Sequence, residues 1–378
     1  MPGDDARDRP PRFDEPRELA RTLAAPVVCA FASLPAAVPA AKGNEARLRH
    51  VAEALTRRLA ELAVDAAARE RAVQQLAPFF EDTVPSPPGI AGRVALAAGD
   101  GVRFGLPFAV EDRAFVGSCP PVRILLRAAR EAAPYRVVAV SVNRVWAGRG
   151  DVRGLAHEPR SELPADLVDA LGAEIDASGT ELVRMAAGER AVYHAYRDGR
   201  AEREIDHERF HRVLLDGLVR AFAGSELPIV LFGDRKHQSL RESLAPRVPF
   251  AGGVQGSPDH WGEREMHERA WPLVQEALER EQAGRLAQLE RARGRGVVGL
   301  QPSIAAVVEG RVRRLWLPAE SSVPGRIDVE TRRAVAAWGD EDLLDSLACE
   351  ALRRGATVEA LAPGRTPLPD ADVAAELW

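Results

Sequence analysis

Residues 297–361 constrain the fold more than any other part of the chain, because they show the pattern of a small α/β unit with its turns marked. Pro302 is placed at the start of a helix, and the residues after it stay largely apolar as far as Val308, with Gly310 just beyond. Residues 311–317 then alternate roughly between polar and apolar side chains, which predicts a strand.

A second helix and strand complete this unit. Asp340 is placed to cap a helix, and Gly355 is placed for a left-handed C-cap at its end. The apolar stripe of this helix consists of Leu343, Leu344, Leu347, Ala348, Ala351 and Leu352. Residues 357–361 return as a short strand. The sequence therefore predicts a small sheet sandwiched by helices. Since it holds no cluster of acids, bases or nucleophiles, we interpret it as a binding module.

Length and charge limit the function classes. The chain of 378 residues suggests two or three domains, and its 46% hydrophobic content is enough for real cores. A formal net charge of −5 argues against a nucleic-acid coat over the whole surface, although local basic patches remain compatible with it. Lys42 and Lys236 are the only lysines. We attribute this arginine bias to a GC-rich genome, although guanidinium groups also suit phosphate.

The cysteines and the apolar N-terminal stretch indicate where the protein works. Cys29, Cys119 and Cys349 are odd in number and show no spacing typical of a metal or redox motif. Residues 24–41 are apolar, but prolines interrupt them and acidic residues precede them. We therefore expect no leader, export signal or spanning helix, no membrane partner, and a reducing cytoplasm.

The N-terminal part shows a disordered start followed by α/β patterning. We expect residues 1–18, rich in Pro, Asp and Arg, to be disordered. The predicted elements that follow are a buried strand at 27–33, helices at 45–62 and 66–80, a β-hairpin of 94–98 and 102–106, and a helix at 121–131.

The middle of the chain has strands first and then a helix, a strand and a helix. Residues 135–141 form the strongest predicted strand, followed by a second one at 144–148, and a further strand pair is expected near 181–185 and 191–196. An amphipathic helix at 205–222, a buried strand at 228–232 and a helix at 236–244 come next, and a charged helix at 263–292 leads into the C-terminal module. This order predicts a mixed sheet covered by helices.

Several segments, in this order, resemble the archaeo-eukaryotic release factor superfamily, which includes the eukaryotic class-one release factor and Pelota. They are VRILLRAAREAAPYRVVAVSVNRVWAGRG at 122–150, PIVLFGDRKHQSLRESL at 228–244, GSPDHWGEREMHERAWPLV at 256–274, SIAAVVEGRVRRLWLP at 303–318 and DEDLLDSLACEALRRGATVEAL at 340–361. The GSPD segment looks like the GNPD-type loop of the bacterial branch, to which the ribosome hibernation factor Balon belongs. No single segment is diagnostic, and the order and spacing carry the resemblance.

The resemblance implies three domains. They are an N-terminal α/β domain at 19–133, a ribonuclease-H-like middle domain with a mixed sheet at 134–284, and a C-terminal α/β/α sandwich, similar to RNA-binding ribosomal proteins, at 285–378. It also implies a ribosome-binding factor, with RNA as the surface to be bound.

One departure from the family is decisive for activity. Release factors of this superfamily hydrolyse peptidyl-tRNA with a Gly-Gly-Gln loop, but the equivalent region at 184–203 has no such motif. GGVQG at 252–256 has an inserted valine and follows a strand. We also find no match to the stop-codon-reading motifs. We therefore expect neither peptide release nor codon recognition.

The HERFH segment, residues 207–211, matches the zinc pattern in which two histidines one helical turn apart bind the metal and a glutamate activates water. The charged flanks are atypical of such helices. We prefer the alternative that His207 and His211 flank an apolar stripe of Phe210, Leu214 and Leu218 as partly exposed helix residues, and we expect no metal. His260, His267, Trp261 and Trp271 form a second cluster, for which we favour surface packing.

Two arginine-rich segments are the candidate RNA contacts. The first consists of Arg190, Tyr193, His194, Arg197, Arg200 and Arg203, where phosphate contact and base stacking would combine. The second consists of Arg291, Arg293, Arg295, Arg311, Arg313 and Arg314, with only Glu309 opposing it within that run. A solvated charged surface is the alternative for both.

These observations predict a cytoplasmic factor that is not an enzyme, needs no cofactor and binds neither DNA nor membrane. We expect it to bind rRNA at the A site of idle ribosomes in a hibernation or stress response, and the resemblance adds elongation factor Tu or another translational GTPase as a partner. Two alternatives stay open: a Pelota-type rescue factor, and a zinc-dependent hydrolase that uses HERFH.

Overall fold

Three separate sheets, each covered by helices, organise the described part of the chain in a computed structural model. The structure describes residues 8–34, 40–98, 101–172, 200–245, 247–291, 296–361 and 372–378. The chain divides into two compact units, which we call the terminal unit (residues 1–132 and 282–378) and the middle unit (residues 133–281). Within the described residues, no helix is long and apolar enough to cross a membrane.

The N-terminal sheet is antiparallel and buried on both faces. Its strands β1 (Val27–Ala32), β2 (Gly92–Leu96), β3 (Val102–Leu106) and β4 (Arg113–Gly117) lie in the order β3-β2-β1-β4. Its helices are α1 (Glu15–Thr22), α2 (Ala40–Glu61), α3 (Ala66–Glu81) and α4 (Val122–Glu131). Because side chains alternate along β1, Val28 and Ala30 pack with α2 and α3, while Val27 and Phe31 pack with α1 and α4.

The middle unit has the predicted mixed sheet. Its strands are β5 (Tyr135–Val140), β6 (Val145–Asp151), β7 (Gly154–His157), β8 (Ile229–Gly233) and β9 (Phe250–Gln255). They lie in the order β7-β6-β5-β8-β9, with β5, β8 and β9 parallel and the other pairs antiparallel. This is the strand order of ribonuclease-H-like folds. Helices α5 (Leu167–Leu171), α6 (Arg200–Phe222) and α7 (Arg235–Leu244) cover one face, and α8 (Glu263–Arg291) covers the other.

The C-terminal sheet confirms the predicted α/β/α sandwich. Its strands are β10 (Gly296–Val298), β11 (Val312–Pro318), β14 (Thr357–Leu361) and β15 (Ala374–Leu377), in the order β10-β15-β11-β14. Helices α9 (Leu300–Val308) and α10 (Leu343–Arg353) pack on one face, and the last turns of α8 contact Trp316 on the other. A small hairpin of β12 (Arg326–Asp328) and β13 (Arg333–Val335) lies between β11 and α10 in the chain. The chain thus has three sheet-centred α/β parts, two of which belong to the terminal unit.

The predicted cap of α10 is wrong by two residues. Asp342, not Asp340, caps the helix, because its Oδ1 accepts hydrogen bonds from the amides of Leu344 at 2.8 Å and Asp345 at 3.4 Å. Asp340 instead accepts a hydrogen bond from the Val116 amide at 2.9 Å. Gly355 has a φ of 90°, as the predicted left-handed C-cap requires.

The expectation of disorder over residues 1–18 is wrong from residue 8 onward. Asp8 is 2% exposed and lies 2.7 Å from Arg93, which is itself 1% exposed. Glu15 begins α1, so a buried ion pair and a helix order this segment. Residues 1–7 and the strand pair expected near 181–185 and 191–196 lie outside the described residues.

Candidate nucleic-acid interface

Arg313 and Arg314 on β11 face carboxylates from the neighbouring strands. Arg313 forms an ion pair with Glu376 of β15. Arg314 Nε lies 3.3 Å from Glu359 Oε1 of β14, and its Nη1 lies 3.8 Å from Glu376 Oε2. RNA phosphates would have to replace these carboxylates, so this surface is less attractive to RNA than the arginine run alone indicates.

Arg311 is paired in the same way. Its Nη2 lies 2.6 Å from Glu309 Oε2, and Arg332 Nη1 lies 2.6 Å from the other oxygen of the same carboxylate. The hydrogen bond from Arg311, helped by the charge of Arg332, lowers the pKa of Glu309. The local charge of this turn is therefore partly neutralised. RNA binding by Arg311, Arg313 and Arg314 stays a prediction.

Most of the other predicted RNA contacts lie outside the residues that the structure describes. Arg190, Tyr193, His194, Arg197, Arg293 and Arg295 lie outside the described residues. Arg200 and Arg203 belong to the first turn of α6 and Arg291 is the last residue of α8, with no side-chain description. The two arginine-rich segments therefore stay predictions as a set.

The HERFH segment lies within α6, as its pattern predicts. Phe210, Leu214 and Leu218 are buried, while His207 and His211 are only partly exposed, which confirms the packing interpretation of this stripe. No group of three or more His, Cys, Asp or Glu side chains that could hold a metal occurs in the described ranges. The expected absence of a metal at the HERFH segment stays a prediction.

A buried histidine of α7 lies beside this helix. His237 is 4% exposed and packs edge-on against Phe210, with ring centroids 6.2 Å apart. Burial lowers the pKa of His237, and the Asp234 carboxylate, 2.9 Å from its Nδ1, opposes that shift only in part. Burial also lowers the pKa of His211. Both rings are therefore neutral near pH 7, which suits packing better than phosphate binding.

The second aromatic cluster is packed, as favoured from its spacing. Tyr135 Oη lies 2.7 Å from His267 Nδ1, and the Trp271 ring centroid lies 5.7 Å from that of His267. Trp261 packs edge-on against the buried Phe232. Burial lowers the pKa of His267, so its ring is neutral near pH 7 and packs with Tyr135 and Trp271, whereas His260 is exposed.

The GSPD loop is fastened to the turn after β5. Ser141 and Asn143 Nδ2 both donate to the carboxylate of Asp259, the latter at 3.2 Å, and the Asn143 amide donates to Ser141 Oγ at 3.1 Å. Gly256 has a φ of 145°, and a Cβ there would come within 2.6 Å of the Trp261 ring. The Asp259 carboxylate accepts hydrogen bonds from two side chains of the turn after β5 and so fixes the conformation of that turn. Its role is therefore to position the backbone and side chains of the turn.

Sequence reasoning did not identify Ser141, Asn143 and Asp259 as a group. The signals were present, since Asn143 follows the strongest strand and Asp259 ends the GSPD motif. Because β5, β8 and β9 are parallel, their carboxyl ends lie at one edge of the sheet, which brings these two turns together.

Comparison with known proteins places this site in context. Residues 134–311 match the sequence model of bacterial archaeo-eukaryotic release factor family 3. A search of the curated proteins found no match.

Solved structures give weaker likenesses. Pelota from Archaeoglobus fulgidus is 14% identical, with 98% of this chain and 93% of that chain covered at a TM-score of 0.35. Dom34 from S. cerevisiae, described as a translation termination-like factor, is 11% identical, with 74% of each chain covered at a TM-score of 0.39. A ribosome-bound archaeal Pelota, also 11% identical, covers 98% of this chain and 95% of that chain at a TM-score of 0.39.

Proposed function

We propose, on the match of residues 134–311 to bacterial archaeo-eukaryotic release factor family 3, that this chain is a translation factor that binds the ribosome. In finer terms, it occupies the A site of idle ribosomes and protects them without hydrolysing peptidyl-tRNA. A cytoplasmic location follows from that partner.

The observation that carries the proposal is a release-factor-like region with no Gly-Gly-Gln tripeptide anywhere in the sequence. The similar GGVQG segment begins within β9, where Gly252 and Gly253 pair with Val230 and Leu231 of β8. A Cβ at Gly252 would lie 3.1 Å from the Leu273 side chain, so this segment packs under α8. A strand held in a sheet cannot reach into a distant active centre, which supports a role in binding rather than in peptide release.

Charge sets the expected mode of binding. The net charge of −5 gives no general attraction to RNA, so contacts must come from local arginine clusters. Binding through a few phosphates weakens as salt rises, because each contact releases condensed counterions. We therefore expect ribosome binding that is clearly salt-dependent.

Co-sedimentation tests the proposal. The full chain is mixed with vacant 70S ribosomes at 50 mM and 200 mM salt, with and without elongation factor Tu, and the ribosome pellet is assayed for the protein. We expect near-stoichiometric recovery at low salt, partial recovery at the higher salt, and displacement by tRNA bound in the A site.

The other outcomes identify the alternatives. Recovery that needs elongation factor Tu would make the GTPase a delivery partner, as in the resemblance to Balon. A strong preference for ribosomes stalled on a truncated message over idle ones would identify a rescue factor of Pelota type. No recovery under any condition would contradict ribosome binding.

A further inference from the structure

A cavity of about 410 Å³ lies beside β6 in the middle unit. The Glu158 amide donates to Ala147 O at 2.9 Å, and the Val145 amide donates to Ala165 O at 2.6 Å. Glu158 and Ala165 are thus tied to strand residues only two positions apart, so residues 159–164 arch away from the strand edge. The cavity lies at this arch and is bounded by it.

Two stacked rings form its aromatic side. The ring centroids of Trp146 and His157 lie 5.5 Å apart, and the angle between the ring planes is 18°. Trp146 is 7% exposed, and its ring lies over Gly148, where a Cβ would come within 2.2 Å of a ring carbon. His157 is exposed and lines the cavity. The buried tryptophan therefore holds the histidine as a flat platform for a ligand ring.

The polar side of the cavity presents hydrogen-bond acceptors. Asn143 Nδ2 is held by Asp259 at 3.2 Å, which fixes the amide so that Oδ1 points elsewhere. Oδ1 is buried with no accessible surface and lacks a hydrogen-bond partner among the described residues, so Asn143 forms part of the wall and the acceptors open to a ligand are carboxylates. The Asp166 and Asp169 carboxylates line it too, and each uses one oxygen on a backbone amide at 2.8 Å.

From this arrangement we propose that the cavity binds one unpaired nucleobase, which stacks on His157 and donates its exocyclic amine to the carboxylate of Asp166 or Asp169. A flat ring with N–H donors at its edge satisfies both sides of the site, and the Arg144 guanidinium, 5.5 Å from the Trp146 ring centroid, adds a cation near the base. Adenine, cytosine and guanine carry such an amine, whereas uracil does not. The base comes from RNA or from a free nucleotide. The RNA source rests on the proposed ribosome function.

Fluorescence anisotropy with labelled RNA hexamers tests this inference on the full chain. We expect oligo(A) and oligo(C) to bind at least fivefold more tightly than oligo(U). His157→Ala should weaken oligo(A) binding about tenfold or more, because it removes one base-stacking contact. His260→Ala is the matched control, since His260 is an exposed histidine of the same unit that does not line the cavity. Thermal melting checks that both variants are folded.

Competition with AMP separates the two sources. If AMP displaces oligo(A) from the parent but, at the same concentration, not from His157→Ala, the site binds a free nucleotide. If AMP does not displace oligo(A) from the parent, the base that binds comes from RNA. Equal affinity for oligo(A) and oligo(U), or a folded His157→Ala variant that binds like the parent, would overturn the proposal. Normal ribosome co-sedimentation together with either result would mean that the cavity assignment alone has failed.

Discussion

Arg123 makes a sharp prediction about how the N-terminal and C-terminal sheets are held together in the terminal unit. It is 4% exposed at the start of α4. Its guanidinium lies 3.0 Å from Asp342 and 3.3 Å from Asp345, both in the C-terminal domain. It also donates hydrogen bonds to the carbonyls of Pro318 and Ser321, each at 2.7 Å. Arg123→Met keeps much of the volume and removes the charge and all four contacts.

The expected cost follows from what the substitution leaves behind. Two buried carboxylates would lose their cation and two carbonyls their donor, and breaking a buried ion pair from one side costs about 3–5 kcal/mol. The free energy of unfolding of a typical domain is about 5–15 kcal/mol, so this cost is a large fraction of the total stability. We expect the free energy of unfolding at pH 7 to fall by that amount.

The pH dependence gives a second test. Burial raises the pKa of Asp345 above its usual value even with Arg123 present, and removing the cation raises it further. The folded state then binds the proton more tightly than the unfolded state. Stability from Asp345 is therefore present at low pH and lost as the pH rises through the folded pKa. The variant should differ most from the parent near pH 7 and less toward pH 4.5.

Urea unfolding followed by circular dichroism at both pH values measures this. Arg49→Met is the matched control, because Arg49 pairs with Glu45 on an exposed surface of α2 and should cost less than about 1 kcal/mol. An Arg123→Met variant within 1 kcal/mol of the parent at pH 7, or a difference that does not change with pH, would refute the reasoning.

Three further predictions concern the middle unit. Gly148→Ala places a Cβ within 2.2 Å of the Trp146 ring and should lower stability by about 1–3 kcal/mol in thermal melting. Because burial lowers the pKa of His237, the folded state binds fewer protons than the unfolded state; stability should fall as the pH drops below 6.5, and His237→Gln should flatten that loss in urea unfolding between pH 7 and 5. Elemental analysis should find zinc well below one ion per chain, and added zinc should shift the melting temperature of the parent no more than that of the His207→Ala, His211→Ala double variant.

The sequence predicted most regular elements, because their periodicity reports burial directly. β3, α4 and β14 lie where the patterns place them to within one residue, and β5 and β8 are the buried strands that their apolar runs indicate. Their alternation and helical spacing reflect local geometry, which a single sequence displays.

What the sequence did not reveal depends on contacts between distant residues. Glu359 and Glu376 come next to the arginines of β11 only through pairing of the strands. The sequence around Arg313 and Arg314 therefore indicates a more basic surface than the folded protein has. Short edge elements such as β4 and β7 have weak patterns, because pairing to a neighbour rather than their own burial defines them. The contacts of Asp259 with the turn after β5 likewise need the parallel sheet to bring two loops together.

A single assay tests ribosome binding and the lack of peptide release together. The full chain is added to 70S ribosomes that carry labelled peptidyl-tRNA in the P site and an empty A site, and both the pelleted protein and the released peptide are measured. The account predicts near-stoichiometric protein in the pellet, with peptide release no faster than in the reaction without the protein. Absence of the protein from the pellet, or release clearly above that background, would contradict it.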